Sequence, residues 1–252
     1  MVLYTSYFLI LPDELTSYMR KYPKAPPLLA AVDCIIFGFD GQKLNLLVIK
    51  RRLAPEKGKW SLMGGFVQQK ENLDEAAARV LKEMTGLDGV YMEQLYSFGD
   101  PKRDPEARTI SIAYFALIDS TQYEAQLTHE FQAEWFPLKK VPKLIFDHDT
   151  MVKAARKQLQ YKAALHPLLL ELLPAKFTLP QLQLLYEQVF DTQFDKRNFS
   201  RKVLSTGLLI KQTDKDKVGS RKGAYYYKLN KREYRTNFQA FLNIIPNAHH
   251  FI

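Results

Sequence analysis

Among its 252 residues the chain has one cysteine, Cys34. A single cysteine excludes any intrachain disulfide framework, and its place in an apolar run reads as a small buried core residue in a reducing compartment. The chain also lacks the ~20-residue apolar stretch that a bilayer-spanning helix requires. Its longest candidate, Leu28 to Phe39, is broken by Asp33. The apolar segment Val2 to Leu11 has no basic residues before it and no small-residue cleavage site, so it makes a poor signal peptide. A cytoplasmic protein with no membrane role is the expectation. Acidic charge is short as well: 36 Lys+Arg face 27 Asp+Glu, for a formal +9. Of that excess, +7 falls in Leu168 to Ile252. A basic C-terminal third beside a nearly neutral body suggests a polyanion-binding module attached to something else. With 46% hydrophobic residues, the composition is that of an ordinary globular protein of one large or two modest domains.

What the chain does contain is organised around Gly64-Gly65-Phe66-Val67-Gln68-Gln69-Lys70-Glu71 and its continuation Arg79 to Leu87. Two glycines let the backbone come close to a ligand or another strand. An amphipathic helix follows, capped by Asn72 or Asp74, with Leu73, Ala76, Ala77, Val80, Leu81 and Met84 at helical spacing and Gly86 closing it. The spacing of Gly65, Glu71, Arg79, Glu83, Gly86 and Leu87 resembles a Nudix box over residues 65–87. Members with a complete box split a diphosphate linkage by water attack with magnesium. Carboxylates at i, i+3 and i+4 of one helix face converge on such an ion. Here those positions read Val80, Glu83 and Met84, so one carboxylate of three survives. Glu71, in that family, is mostly structural and paired near the arginine. Rebuilding a metal site would need ligands from outside the helix, such as Glu93, Asp100 or Asp104.

Around this centre, Ala30 to Phe39 and Leu44 to Arg51 read as strands joined at Asp40-Gly41, a hairpin-turn dipeptide. Val90 to Phe98, Thr109 to Ile118 and Glu134 to Pro137 read as further strands, with a polar loop at Gly99 to Arg108. Asp147-His148-Asp149 reads as the start of a helix to about Lys162. Mixed strands with two helices suit a layered α/β/α domain. Beyond a boundary at His166-Pro167, Leu168 to Leu173 reads as a short helix, and Thr178 caps another with Gln181 as its capping-box partner. Asp195 caps a third, Lys196 to Leu204. Leu208 to Thr213 and Ala224 to Leu229 form a ribbon with a basic tip. Three short helices and a two-stranded ribbon outline a winged helix-turn-helix.

The segments DCIIFGF, WSLMGGFVQ, VYMEQLYSFGD, RDPEAR, LLPAKFTLPQLQLLYE and DKRNFSRKV, with that outline, resemble the Nudix-related transcriptional regulators, the NrtR-like family. Within it they look more like the sugar-responsive, AraR-type branch. Pro23, Pro26 and Pro27 enforce an extended entry and set off an arm at residues 1–27 of unknown role, which lies outside the resemblance; the resemblance implies a Nudix-like sensing domain at 28–165 and a winged-helix DNA-binding domain at 166–252. It implies a homodimer on double-stranded operator DNA, with an effector in the Nudix pocket that weakens DNA binding. L-arabinose or another pentose is the expected effector, and ADP-ribose, with control of NAD metabolism, the alternative. The expected role is repression without catalysis, cofactor or metal. Two other readings stand beside it: a working Nudix hydrolase and a nucleic-acid-binding adaptor without a ligand.

For DNA contact the candidates are Lys196, Arg197, Asn198, Arg201 and Lys202 on the recognition helix, with Ser220, Arg221 and Lys222 at the wing tip. Arginine reads guanine, asparagine reads adenine, and lysine mostly neutralises phosphate. Effector candidates are Lys50, Arg52, Trp60, Gly65, Asp100, Arg103, Arg108 and Tyr114, because a sugar needs hydrogen-bonding groups and an aromatic face. Asp147 and His148 read as helix-start residues.

Overall fold

The computed structural model describes residues 27–127, 132–165, 167–217 and 223–234. The arm proposed for residues 1–27 thus lies almost wholly outside the described residues, as do Ser220, Arg221 and Lys222.

The first half is built on strands β1 (Leu29–Phe39), β2 (Leu44–Lys50), β3 (Trp60–Ser61), β4 (Met63–Phe66), β5 (Glu93–Phe98), β6 (Thr109–Asp119) and β7 (Glu134–Pro137). The main path runs β3-β2-β1-β6-β5, with β4 also paired to β1 and β7 to β2. β1 and β6 are parallel along their whole length, and β1 and β2 form the antiparallel hairpin expected at Asp40. The Asp40 carboxylate accepts from the backbone N–H groups of Gln42 and Lys43, which fixes that turn.

Side chains of β1 and β6 alternate between two cores. Val32, Cys34, Ile36, Ile112 and Tyr114 face helix α1 (Leu73–Thr85). Ile35, Phe37, Ala113 and Phe115 face helix α2 (His148–Leu165) through Met151, Ala155 and Leu159. This is the expected α/β/α sandwich. The Cys34 thiol is fully buried, and burial pushes its pKa well up, as a core role requires.

The second half starts with a 3-10 turn at Pro167–Leu172, in place of the short α-helix expected at Leu168 to Leu173. Strand β8 (Phe177–Thr178), helix α3 (Leu179–Phe190), helix α4 (Lys196–Ser205) and strands β9 (Leu209–Asp216) and β10 (Ala224–Leu229) follow. The ribbon is three-stranded rather than two-stranded, in the order β8-β10-β9. Two residues are too few to show a period, so β8 was invisible before the fold placed Phe177 and Thr178 beside Tyr227 and Tyr226. Thr178 and Gln181 form the expected capping box, and Asp195 caps α4. Phe199 and Val203 are buried, as their four-residue spacing foretold. Among the described residues no helix is long and apolar enough to cross a membrane.

Candidate functional site

In the box, Asn72 caps α1 with Glu75 as its reciprocal partner, and Gly86 ends it in the left-handed conformation at φ 84°. Asp74, the other capping candidate, instead accepts a 2.6 Å hydrogen bond from Tyr114. Arg79 grips Glu71 with two bonds, Nε to Oε2 at 2.8 Å and Nη2 to Oε1 at 2.6 Å. It also donates to Phe66 O and Glu83 Oε2. The Glu71 carboxylate takes the Gln68 N–H as well, so the pair ties the loop after β4 to α1. Those bonds, led by the one from Arg79, hold the Glu71 carboxyl below its ordinary range.

Each glycine of the pair has its own reason. A Cβ on Gly64 would lie 2.3 Å from Asp33 Oδ1, and one on Gly65 2.7 Å from Val80 Cγ2. Gly65 thus admits a valine methyl at the position where the box carries a carboxylate. Val80 is 1% exposed, and Met84 packs on the same core. These residues do not fit a magnesium ion: Val80 and Met84 offer no oxygen ligand at two of the three positions, and the third, Glu83, is drawn to Arg79. Nor does Glu93 supply a replacement. It pairs in register with Phe115 and is salt-bridged to Lys162 of α2, on the other face of the sheet from α1.

That other face carries a buried polar network which motif reading missed. Asp33, 4% exposed, accepts from Ser111 Oγ at 2.6 Å and from Arg103 Nη2 at 3.3 Å. Arg103 makes a second, two-pronged bond to Asp147, 3.0 Å from Nε and 2.9 Å from Nη2. Burial alone would lower the Arg103 pKa; its bond to Asp147 and the nearby Asp33 charge outweigh that and raise it. His148 Nδ1 accepts the Leu62 N–H at 3.1 Å, which leaves the Nε2–H toward Asp33 Oδ1 at 3.5 Å. Burial, the leading cause, lowers the His148 pKa, so the ring is held neutral. Asp147 and His148 therefore do more than start a helix: they tie α2 to β1. One sign was legible in the sequence, a lone Asp33 in an apolar strand, since a buried carboxylate needs a cation or donors.

Beside this network lies a cavity of roughly 590 Å³, walled by Phe98, Asp100, Lys102, Arg103, Phe146 and Asp147. Of the eight effector candidates only Asp100 and Arg103 line it. Arg108 sits close by, donating to the Asp100 carbonyl at 3.3 Å. Lys50 stacks over Trp60 at 5.0 Å, and Trp60 meets Phe136 edge-on. Arg52 is exposed at the end of β2. Gly65 belongs to the α1 side through its contact with Val80. Tyr114, 1% exposed, is also in the core under α1, on the face opposite this cavity. The candidates thus fall on both faces of the sheet and do not form one site, because residue type does not reveal strand parity. Phe98, Lys102, Phe146 and Thr150 join the cavity only through the fold.

On the winged-helix half, Lys196, Arg197 and Arg201 are exposed on α4, while Asn198 and Lys202 are half-buried. Arg201 Nη2 donates to Asn198 Oδ1 at 2.9 Å, so the two side chains orient each other. β9 adds Lys211 and Lys215, whose ammonium groups lie 3.7 and 4.3 Å from the Tyr225 ring centre.

The family model for the NUDIX domain matches residues 27–174, and that for the NrtR DNA-binding winged helix domain matches residues 169–229. The chain is 35% identical to the ADPR responsive transcriptional repressor NtrR of Acinetobacter baylyi, across 92% of this chain and 95% of that protein. The chain belongs to the NrtR family of Nudix regulators. Crystals of Shewanella oneidensis NrtR with a 27mer DNA share its fold at a TM-score of 0.67 and 30% identity, over 82% of this chain and 95% of that one. The NUDIX domain of the same Shewanella protein, crystallised with ADP ribose, matches at a TM-score of 0.50 and 30% identity, over 60% of this chain and 99% of that one. Membership in the NrtR family covers the whole architecture, whereas none of these matches is to an arabinose-responsive protein.

Proposed function

We propose that this chain is an operator-binding repressor whose Nudix domain senses ADP-ribose and performs no hydrolysis. The observation that carries the loss of catalysis is the packing of Val80 against Gly65, which puts hydrocarbon where a metal ligand would stand. The effector assignment rests on family relatives, one named for its response to ADPR and one crystallised with ADP ribose. Those relatives outweigh the segment likeness that favoured a pentose. DNA reading is assigned to α4, with Arg197 and Arg201 presented to the major groove, Lys196 and Lys202 toward phosphate, and Ser220, Arg221 and Lys222 at the wing. We take the unit on DNA to be a homodimer, since paired recognition helices read paired half-sites.

The test is a titration of ADP-ribose and, separately, L-arabinose into the protein bound to promoter DNA from beside its own gene, followed by fluorescence anisotropy. ADP-ribose should release the DNA and L-arabinose should not; the reverse result transfers the protein to the sugar-responsive branch. A parallel incubation with magnesium and ADP-ribose should yield no AMP. Turnover at ordinary enzyme rates, ~1 s⁻¹ or more, defeats the non-catalytic reading.

A further inference from the structure

Arg103 faces two ways. Its Nε and Nη2 are committed to Asp147 and Asp33. Among the described residues its Nη1 makes no hydrogen bond, and the side chain lines the cavity beside Lys102. Lys102 adds a second cation, Phe98 and Phe146 are aromatic walls, and Asp100 offers a carboxylate. These groups suit the three parts of a nucleoside diphosphate sugar. A base lies on an aromatic ring, a diphosphate takes arginine and lysine, and ribose hydroxyls donate to a carboxylate. A volume of roughly 590 Å³ is in the range of small-molecule sites. A neutral pentose has no anionic group for Lys102 and Arg103 to bind.

The same arginine holds the start of α2. Asp147 immediately precedes that helix, and its carbonyl accepts from Thr150 and Met151 N–H groups. Eighteen residues make α2 ~27 Å long. Further along, α2 meets the end of α3: Gln160 Nε2 donates to Val189 O at 2.9 Å, and Arg156 Nη2 lies 3.3 Å from Asp191 Oδ2. Lys139 binds the other Asp191 oxygen at 2.5 Å. Asp191 ends α3 in the left-handed conformation, φ 53°, which a non-glycine residue holds only when its surroundings insist. Only a short turn separates it from Asp195, the N-cap of the recognition helix. One helix therefore touches the cavity at its start and the end of α3, before the turn that aims α4, from its middle and second half.

Resting on the reading of ADP-ribose as effector, we propose that its diphosphate binds Lys102 and Arg103 in this cavity and is sensed through the Arg103–Asp147 pair. Diphosphate and Asp147 compete for one guanidinium. As the fork turns toward the ligand, Asp147 loses its partner and the start of α2 shifts. Arg156 carries that shift to Asp191, and α4 leaves the pose that fits DNA. A ligand alters DNA affinity only by binding the two states unequally, and here the inequality is whether Arg103 still holds Asp147.

The experiment uses the full chain and four proteins: wild type, Lys102→Ala, Asp147→Asn and Arg156→Gln. ADP-ribose affinity is measured by calorimetry, and operator affinity with and without saturating ADP-ribose by anisotropy. The wild-type operator Kd should rise at least ~5-fold with ligand. Lys102→Ala should weaken ADP-ribose binding ~10-fold, the loss of one charged hydrogen bond. Asp147→Asn and Arg156→Gln should both still bind ADP-ribose, with the operator ratio falling toward 1. Arg156 lies away from the cavity, so its variant tests the route even where Asp147→Asn unfolds. Wild type that fails to bind ADP-ribose sinks the effector reading and this proposal together. Wild type that responds beside a Lys102→Ala variant of unchanged affinity refutes the cavity alone. A full response retained by Arg156→Gln refutes the route through α2 while the effector reading stands.

Discussion

Alanine at Gly65 should destabilise the Nudix domain, and shortening Val80 should undo most of the damage. The added Cβ would lie 2.7 Å from Val80 Cγ2. Val80 is 1% exposed, and a helical valine has essentially one χ1 state, so it cannot rotate away. Overpacking of this kind costs about 1–3 kcal/mol, reduced by the ~0.5–1 kcal/mol that alanine gains over glycine in a strand, for a net loss of about 1–2 kcal/mol. Val80→Ala alone deletes two buried methyl groups at ~0.8 kcal/mol each and leaves a small cavity, about 2 kcal/mol in all. Independent effects would sum to about 3–4 kcal/mol. In the double variant the new Cβ instead enters the space that the methyls vacate, so its loss should be about 1–2 kcal/mol, a coupling of ~2 kcal/mol. Urea and thermal melts of the four proteins close the cycle, and the double variant should melt ~4–8 °C above the additive expectation. Additivity within ~0.5 kcal/mol would refute the reasoning, and with it the claim that Val80 stands at the box's carboxylate position as a packing residue.

Three further outcomes follow from the same structure. Arg197→Ala and Arg201→Ala should each lose ~1–3 kcal/mol of operator affinity at fixed salt, and a pair of variants with unchanged anisotropy curves would move the recognition surface off α4. Glu71 has its folded pKa lowered by Arg79, so its contribution is present above the unfolded value and lost as pH falls through the folded one. Glu71→Gln should flatten that acid limb in urea melts, and an unaltered limb would count against the pair. His148 is buried neutral with its pKa lowered from 6.5, so below that value the unfolded chain takes the proton first and stability falls until the folded value is reached. His148→Gln should remove that fall as pH drops below about 6.5, and an unchanged slope would show that another group carries it.

Local patterns foretold much of this architecture. The Asp40 turn, the Asn72, Thr178 and Asp195 caps and the Gly86 stop are each written within a few residues, because caps and turns satisfy backbone groups nearby in the chain. The buried stripes of α1 and α4 are as local. The box spacing and the basic C-terminal third then sufficed for the NrtR-like resemblance, though segment likeness leaned toward the sugar branch, whereas one relative is named for responding to ADPR and another is crystallised with ADP ribose.

By itself, then, the sequence determined most of the element order, the caps, the α/β/α and winged-helix classes, and that Val80 and Met84 stand at two positions where the box has carboxylates. Tertiary structure alone decided which side chains meet. Asp33, Arg103 and Asp147 are far apart in the chain, and only the parallel pairing of β1 with β6 and the return of α2 bring them together. The same pairing put Tyr114 under α1 and left Phe98, Lys102 and Phe146 around one cavity. The physical reason is that strand parity and long-range pairing are settled by burial of whole faces, which no short window of residues contains. The two adjacent glycines show both levels at once: their presence was plain from the chain, but that Gly64 makes room for Asp33 and Gly65 for Val80 is known only from the folded sheet.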